Sequence, residues 1–260
     1  MTKLPPDLAK RAVVGLALIG VAAAALWWGG LVFWLVIALV SVLMIDEWAA
    51  LHGCRTRERR LTQGALAVPL VLLAPGIGPG PGWIALAAIA GSVAFVVAVV
   101  RRRGIALGIL YVGLPALSLI LLREEVPGGL LLAFWAMALV WACDIGAYFA
   151  GRMIGGPKLA PGISPAKTWA GLWGGVLAAA AFGAGMSALG LPLYLAIATP
   201  LLAVLAQIGD LYESAIKRRA GVKDSSNLLP GHGGLMDRLD GLVPVAMAAA
   251  MLVAVPRWIA

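Results

Sequence analysis

The residues best suited to chemistry lie in one polar stretch, 210–240, of a chain that is otherwise strongly apolar. Within this stretch, Asp210, Glu213, Ser214 and Lys217 recur at positions i, i+3, i+4 and i+7. On an α-helix these spacings place all four side chains on one face. The face begins inside an apolar run and ends in a basic segment. We therefore expect it to line a polar funnel that leads from membrane depth to water.

Two further acids, Asp237 and Asp240, lie three residues apart and are expected on one face of the next helical element. Carboxylates that converge from two elements suit Mg²⁺, an ion that commonly shares its coordination shell with substrate phosphates. Neighbouring lysines and arginines would then hold the remaining phosphate oxygens. The alternative is that these acids and bases pair as salt bridges within the membrane, and it is most open for Glu213 and Asp240.

The turn PGHGG, residues 230–234, separates the two acidic clusters. Its glycines permit unusual backbone angles and a close approach to a ligand. His232 is suited to phosphate binding or to proton transfer, or else it only fixes the loop. Upstream, Lys223 and Asp224 form either a phosphate contact with its supporting acid or a solvated pair.

A second polar patch, 144–168, precedes this stretch. Asp144 lies within an apolar helix, so we expect it to face the protein interior near Asp210. A loop over 151–168 is predicted next, with Ser164 starting the following helix and Lys167 in its first turn. A cation is poorly placed at the positive end of a helix dipole, beside free N–H donors, unless an anion joins it. Lys167 is therefore expected to bind phosphate, and a simple topology-determining charge is the alternative.

The composition predicts the fold class. The chain of 260 residues is 62% hydrophobic and only 12% charged, and its apolar runs approach the ~20 residues that cross a bilayer. We expect an all-α polytopic integral membrane protein with an N-terminal scaffold over 1–125 and a C-terminal catalytic domain over 126–260. About nine spans are predicted, over 12–28, 31–49, 62–75, 83–100, 104–122, 128–150, 169–189, 191–219 and 241–258.

The basic residues predict how the chain is oriented. With nine spans, all of the 20 lysines and arginines except Arg123 and Arg257 fall on the side of the N-terminus. Positive charge is retained on the cytoplasmic side, so the N-terminus and both polar stretches are expected to face the cytoplasm. Because the bases separate apolar runs, the net charge of +8 does not indicate a nucleic-acid partner. Cys54 and Cys143 have neither disulfide nor metal-site spacing.

The segment from Ser214 to Asp240, SAIKRRAGVKDSSNLLPGHGGLMDRLD, resembles without gaps the signature of the phosphatidate cytidylyltransferase family, also called CDP-diacylglycerol synthases. Three shorter segments are similar to the lesser motifs of that family: Asp144 with Tyr148, GISPAKT at 162–168, and GDLYES at 209–214. The resemblance covers about 140–241. One departure is Ala170, where members of the family often have an acid.

The resemblance implies transfer of CMP from CTP to phosphatidic acid, in the inner membrane and by a homodimer. It implies one or two Mg²⁺ ions bound by Asp210 and Asp237, with Asp144 and Asp240 as further ligands. Asp210, Asp237, Lys217 and His232 are then expected to be catalytic, and Glu213 and Asp224 to hold them in place. The other expected substrate contacts are Lys167, Ser214, Arg218, Lys223, Gly233, Gly234 and Arg238.

Two other classes of protein remain as alternatives. A transporter or flippase of a phosphorylated lipid would use intramembrane acids, but it would not need a glycine-rich and lysine-rich cytosolic loop. A CDP-alcohol phosphatidyltransferase should carry D-G-x2-A-R followed by two spaced aspartates, and the chain lacks that series. A P-loop and a dinucleotide-binding fingerprint are also absent from the sequence.

Overall fold

The structure, a computed structural model, describes residues 8–124, 126–229 and 231–259, without the side chains of 8–12 and 255–259. Lys3, near the N-terminus that is predicted to face the cytoplasm, and Pro230 of the PGHGG turn lie outside the described residues. The same holds for the side chains of Lys10, Arg11 and Arg257, which entered the charge count.

Helices make up most of the described chain, as predicted. They are α1 Leu8–Trp28, α2 Gly30–Leu51, α3 Thr56–Leu72, α4 Trp83–Val99, α5 Arg103–Glu124, α6 Gly129–Met153, α7 Trp169–Ala188, α8 Leu193–Arg219, α9 Met236–Leu239 and α10 Leu242–Ile259. Five of them are long and apolar enough to cross a membrane: α2, α5, α6, α7 and α8. The described parts of α1, α4 and α10 are shorter apolar helices. Nine spans therefore stay a prediction.

The predicted loop over 151–168 and the predicted helix start at Ser164 are wrong. Strands β1 Lys158–Ala160 and β2 Ser164–Thr168 form an antiparallel hairpin where a loop and a helix start were expected. Pro165 favours an extended conformation at Ser164, which suits a strand and opposes a helix start. Thr168 then caps α7, because its Oγ1 accepts a hydrogen bond from the Gly171 N–H at 3.0 Å. Lys167 consequently lies at the end of β2 and not in a helical turn.

The chain divides into two compact units. The first comprises Met1–Ile120 with Ala220–Arg238, and the second comprises Leu121–Arg219 with Leu239–Ala260. The division near residue 120 lies close to the boundary expected after residue 125. However, the segment Ala220–Arg238, which carries much of the predicted site, groups with the N-terminal helices.

In the first unit, Trp48 of α2 is buried, with 1% of its surface exposed. Its indole N–H donates to the Gly104 carbonyl of α5 at 2.9 Å, and its ring occupies the space that a Cβ on Gly108 would need. Small residues thus let the two helices approach closely. The spans predicted from the sequence leave Arg57, Arg59 and Arg60 before the third helix, but all three lie within α3. Arg59 forms an ion pair with Asp46 of α2.

The second unit packs α6, α7, α8 and α10 through small residues. A Cβ on Gly174 of α7 would overlap the Ala150 side chain of α6, so this contact requires glycine. The buried indole N–H of Trp135 on α6 donates to Thr199 Oγ1 on α8 at 3.0 Å. Cys143 is fully buried in this helix packing, as expected of a small apolar residue. These contacts pack α8 against α6 and α7 within this unit.

Candidate active site

The acidic face of α8 forms two side-chain contacts one helical turn apart. Ser214 Oγ donates to Asp210 Oδ1 at 3.3 Å, and Lys217 Nζ donates to Glu213 Oε2 at 2.8 Å. Glu213 is 0% exposed and Lys217 is 8% exposed, so the second contact is a buried ion pair. The polar residues of α8 are therefore fixed relative to one another before any ligand binds.

Lys167 connects the β-hairpin to the same helix. Its ammonium lies 2.5 Å from Asp210 Oδ2 and donates to Gln207 Oε1 at 2.9 Å. Gln207 in turn donates to Cys143 Sγ at 3.4 Å. Sequence analysis did not single out Gln207, whose position three residues before Asp210 on α8 was the usable signal.

A cavity of about 400 Å³ opens beside this contact. Asp144 and Asp210 supply carboxylates to its lining, and Lys167 and Arg152 supply positive charge. Asp144 was expected near Asp210, and the shared cavity confirms this. Its side chain is exposed to the cavity and not enclosed among helices, contrary to expectation. The cavity thus combines acidic and basic groups, as a site for a metal ion and phosphate oxygens requires.

Tyr148 and Arg152 also line the cavity, and sequence analysis assigned neither of them a role. Arg152 Nη1 donates to the Tyr148 hydroxyl at 3.0 Å, and the guanidinium lies 6.0 Å from the centre of the tyrosine ring. The spacing of four residues on α6 explains the contact. Both side chains are exposed, so the guanidinium is accessible to an anion in the cavity.

Asp240 lies between α9 and α10 and receives a hydrogen bond from the Gly241 N–H at 2.7 Å. Burial, followed by the negative charges of Asp210 and Glu213, raises the pKa of Asp240 to about 8. A Cβ on Gly209 would overlap the Asp240 carbonyl, so α8 requires a glycine here. The acids of this unit are thus close enough for mutual repulsion, which a bound cation would relieve.

Asp237, in the first unit, organises the preceding loop. Its Oδ2 accepts hydrogen bonds from the Ser225 N–H at 2.9 Å, from Ser225 Oγ at 2.9 Å and from the Gly234 N–H at 2.7 Å. Gly233 has a φ of 80°, and a Cβ on it would lie 2.7 Å from the same oxygen. The glycines of the PGHGG turn therefore permit a close approach to a carboxylate of the protein itself.

The remaining predicted site residues lie at the end of α8, in the loop that follows it and in α9. Arg238 Nε donates to the His232 carbonyl at 3.0 Å, and His232 Nδ1 is buried without a hydrogen-bond partner among the described residues. Lys223 and Asp224 are exposed. Arg218, at the end of α8, is exposed and donates from Nε to the Ile163 carbonyl of the hairpin turn at 3.4 Å.

A buried acid that the sequence analysis missed, Glu47 of α2, holds this loop through four hydrogen bonds from its residues. The usable signal was an acid at the end of a membrane-length apolar run.

A metal ion requires several donor atoms that lie close together. Among the residues that the structure describes, no group of three or more His, Cys, Asp or Glu side chains forms a ready metal site. Asp144 and Asp210 nevertheless line one cavity. Mg²⁺ is commonly held by one or two carboxylates together with substrate phosphates, so the residues present fit this ion.

These features define a helical membrane protein with a charged cavity suited to phosphate groups. A profile of the cytidylyltransferase family matches residues 9–255, and the chain belongs to that family. The resemblance found in the sequence motifs is thereby confirmed, and the match extends through the N-terminal half.

The relatives include proteins that carry the name phosphatidate cytidylyltransferase. That of Brucella suis biovar 1 (strain 1330) is 41% identical over 233 residues, which cover 85% of this chain and 83% of the relative. That of Pseudomonas aeruginosa is 34% identical over 247 residues, covering 88% and 90%. That of Bacillus subtilis (strain 168) is 43% identical over 143 residues, covering 54% and 53%.

Proposed function

We propose that this protein transfers CMP from CTP to phosphatidic acid and releases CDP-diacylglycerol and pyrophosphate. The observation that carries the proposal is the contact of Lys167 with Asp210 at a charged cavity, in a chain that belongs to the cytidylyltransferase family. The names of the relatives supply the substrates: each is a phosphatidate cytidylyltransferase.

In the proposed reaction, an oxygen of the lipid phosphate attacks the α-phosphorus of CTP. The new P–O bond joins CMP to the lipid, and the bond from the α-phosphorus to the pyrophosphate oxygen breaks. Transfers of this kind depend mainly on positioning and on neutralising charge, because the protein has little covalent chemistry to perform. Lys167 and Arg152, which line the cavity, are proposed to contact phosphate oxygens. Lys217, Lys223, His232 and Arg238 are proposed as further phosphate contacts, with Ser214, Arg218, Gly233 and Gly234 as supporting substrate contacts.

Mg²⁺ is the proposed cofactor. Asp210 and Asp144 would hold it, with Asp240 as a third candidate, and Asp237 stays a predicted ligand. When bound, the ion would neutralise phosphate charge as the pyrophosphate leaves. The raised pKa of Asp240 supports this proposal, because burial and the neighbouring acids Asp210 and Glu213 disfavour its charged form until a cation is present. The four candidate acids, Asp144, Asp210, Asp237 and Asp240, would also be enough to hold two Mg²⁺ ions.

The proposed setting is the inner membrane of a bacterial cell, since the relatives are bacterial proteins. Nine spans with a cytoplasmic N-terminus would place the funnel at the cytoplasmic face, where CTP is found. The distribution of lysines and arginines supports this orientation. A homodimer is proposed from the family alone. Cysteine accessibility at Lys223→Cys in intact and permeabilised cells tests the orientation, and labelling in intact cells would contradict it.

The activity has a direct test. Purified protein is incubated with Mg²⁺, radiolabelled CTP and phosphatidic acid, and the lipid product is separated by chromatography. We expect labelled CDP-diacylglycerol together with an equal amount of pyrophosphate. Replacing phosphatidic acid by diacylglycerol should give no product, because the attacking phosphate is then missing. Absence of labelled lipid in the complete mixture would reject the proposed function.

A further inference from the structure

Glu47 is a buried acid near the end of α2 and is only 4% exposed. Its Oε1 accepts from Ser226 Oγ at 2.6 Å and from the Leu235 N–H at 3.0 Å. Its Oε2 accepts from Ser225 Oγ at 3.0 Å and from the Met236 N–H at 2.8 Å. Each carboxylate oxygen thus lies within hydrogen-bond distance of one hydroxyl and one backbone amide. One side chain therefore joins both ends of the loop 225–236 to a single point on α2.

The four donors are neutral, so they solvate the carboxylate as water molecules would otherwise do. A buried acid is retained only when hydrogen bonds compensate for its lost hydration, and hydrogen bonds to a charged acceptor are the stronger kind. The loop therefore has one favoured position, because moving it away would leave Glu47 buried without its donors. This geometry makes Glu47 an anchor for the loop and not a lipid-facing charge.

Ser225 extends the anchor to Asp237. Its hydroxyl lies 3.0 Å from Glu47 Oε2 and 2.9 Å from Asp237 Oδ2. The hydroxyl has one proton, so it bridges the two carboxylates and donates to one of them at a time. The position of Asp237 is therefore coupled to Glu47 through a single intervening side chain.

Gly234 is the residue that makes this close packing feasible. It is buried, and a Cβ on it would lie 2.6 and 2.7 Å from the two oxygens of Glu47 and would overlap Ser225 Oγ. Even a methyl group would therefore displace the carboxylate or the serine. The glycine is required here by the anchor itself.

We infer that Glu47 is a positioning residue for the transfer reaction. It holds the loop that carries His232, and through Ser225 the predicted metal ligand Asp237, in the arrangement that the reaction needs. The inference rests on the proposed function, because the loop matters for catalysis only if the chain performs that transfer. All four hydrogen bonds to Glu47 come from loop residues, and Glu47 acts through them.

The test compares Glu47→Gln, Glu47→Ala and a matched control, Asp46→Asn. Glutamine keeps the shape and one acceptor oxygen, but its NH₂ group faces a backbone N–H and repels it. Alanine removes all four acceptors. Asp46 precedes Glu47 on α2, but its partners are Arg59 and Gln63 of α3, and its side chain is 31% exposed. Its substitution should therefore leave the loop in place.

Four quantities are measured on the full-length protein: kcat, KM for CTP, amide hydrogen exchange over 225–236, and the melting temperature. For Glu47→Gln we expect kcat to fall about 10- to 100-fold with little change in KM, since displaced groups lose most in the transition state. The Leu235 and Met236 amides should exchange faster. Glu47→Ala should show the larger loss, and Asp46→Asn should match the wild type.

The inference is overturned if Glu47→Gln keeps its kcat or keeps the exchange protection of Leu235 and Met236. It is also overturned if only the melting temperature falls while kcat per folded molecule is unchanged, because Glu47 would then be purely structural. Failure of the proposed function would look different: the wild type itself would form no CDP-lipid. The inference about catalysis would then fall with it.

Discussion

Lys167 Nζ lies 2.5 Å from Asp210 Oδ2, so the end of β2 is joined to the middle of α8 by an ion pair at the cavity. The side chains are 16% and 32% exposed, which makes the pair accessible but partly desolvated. A phosphate entering the cavity would compete with Asp210 for the ammonium. The pair is therefore suited to hold Lys167 in position until a substrate replaces one of its contacts.

Substitution of Lys167 should impair the reaction strongly. We expect Lys167→Met to lower kcat/KM about 10²- to 10³-fold, the range seen when one preorganised group that stabilises developing charge is removed. Lys167→Arg should recover part of the activity, because it keeps the charge but changes the geometry of the donors. Steady-state rates with CTP and phosphatidic acid measure both effects.

Lys158 provides the matched control for this experiment. It lies in β1 of the same hairpin, is exposed and is not among the residues that line the cavity. Lys158→Met should change kcat/KM less than about twofold, as expected of a solvated surface charge. Equal losses in the two variants would show that the hairpin matters only through its overall charge or fold.

The second prediction concerns the buried ion pair of Glu213 and Lys217. Its substitutions should affect protein stability and enzymatic activity differently. Lys217→Met leaves the fully buried Glu213 carboxylate without its lysine, and breaking a buried pair in this way costs about 3–5 kcal/mol. The free energy of unfolding in detergent should fall by that amount. Adding Glu213→Gln should restore much of the stability, since no buried charge then remains.

Activity should respond differently, because Lys217 is a proposed phosphate contact. The double variant Glu213→Gln with Lys217→Met should be stable but nearly inactive. Arg219→Met, a change of an exposed base at the end of the same helix, is the control and should preserve both properties. An active double variant would remove Lys217 from the proposed site and leave it a structural role only.

Most helix boundaries were predictable because local signals set them. The start of α2 after Gly29 and that of α4 after Gly82 coincide with glycines between long apolar runs. The earlier start of α3 was missed because its first turns are basic. Its signal was Glu58, whose carboxylate accepts the Arg55 N–H at 2.8 Å and so satisfies a backbone donor at the helix start.

The hairpin and the Glu47 anchor were not predictable in the same way. The strands β1 and β2 contain only three and five residues and show no regular alternation of polar and apolar side chains. Glu47 is separated from Ser225 by 178 residues, so no local pattern links them. By contrast, the spacing on α8 predicted the shared face of Asp210 and Ser214 correctly, because helical periodicity alone decides it.

Removal of divalent metal gives a third prediction. EDTA should abolish CDP-lipid formation and Mg²⁺ should restore it, since the ion would neutralise the phosphates in the transition state. Mg²⁺ should also raise the melting temperature of the wild type, because a ligand that binds the folded state stabilises it. Asp210→Asn should abolish turnover and remove the Mg²⁺-dependent rise, while the protein still inserts into membranes. Full activity in EDTA would contradict the metal proposal.

The fourth prediction uses two glycines with similar positive φ angles. Gly221 and Gly233 have φ values of 75° and 80°, so alanine at either position should cost a similar strain of about 1–2 kcal/mol. Their surroundings differ: a Cβ on Gly221 meets nothing within 4 Å, whereas one on Gly233 would lie 2.7 Å from Asp237 Oδ2.

Gly233→Ala must therefore displace Asp237 or the turn, and we expect kcat to fall about 10- to 100-fold, as for other small displacements of reacting groups. Gly221→Ala should lose a comparable amount of stability but keep its turnover per folded molecule. Melting temperatures and rates for the two purified variants provide the comparison. If Gly221→Ala loses as much activity as Gly233→Ala, backbone strain alone explains the effect, and the close contact with Asp237 has no catalytic significance.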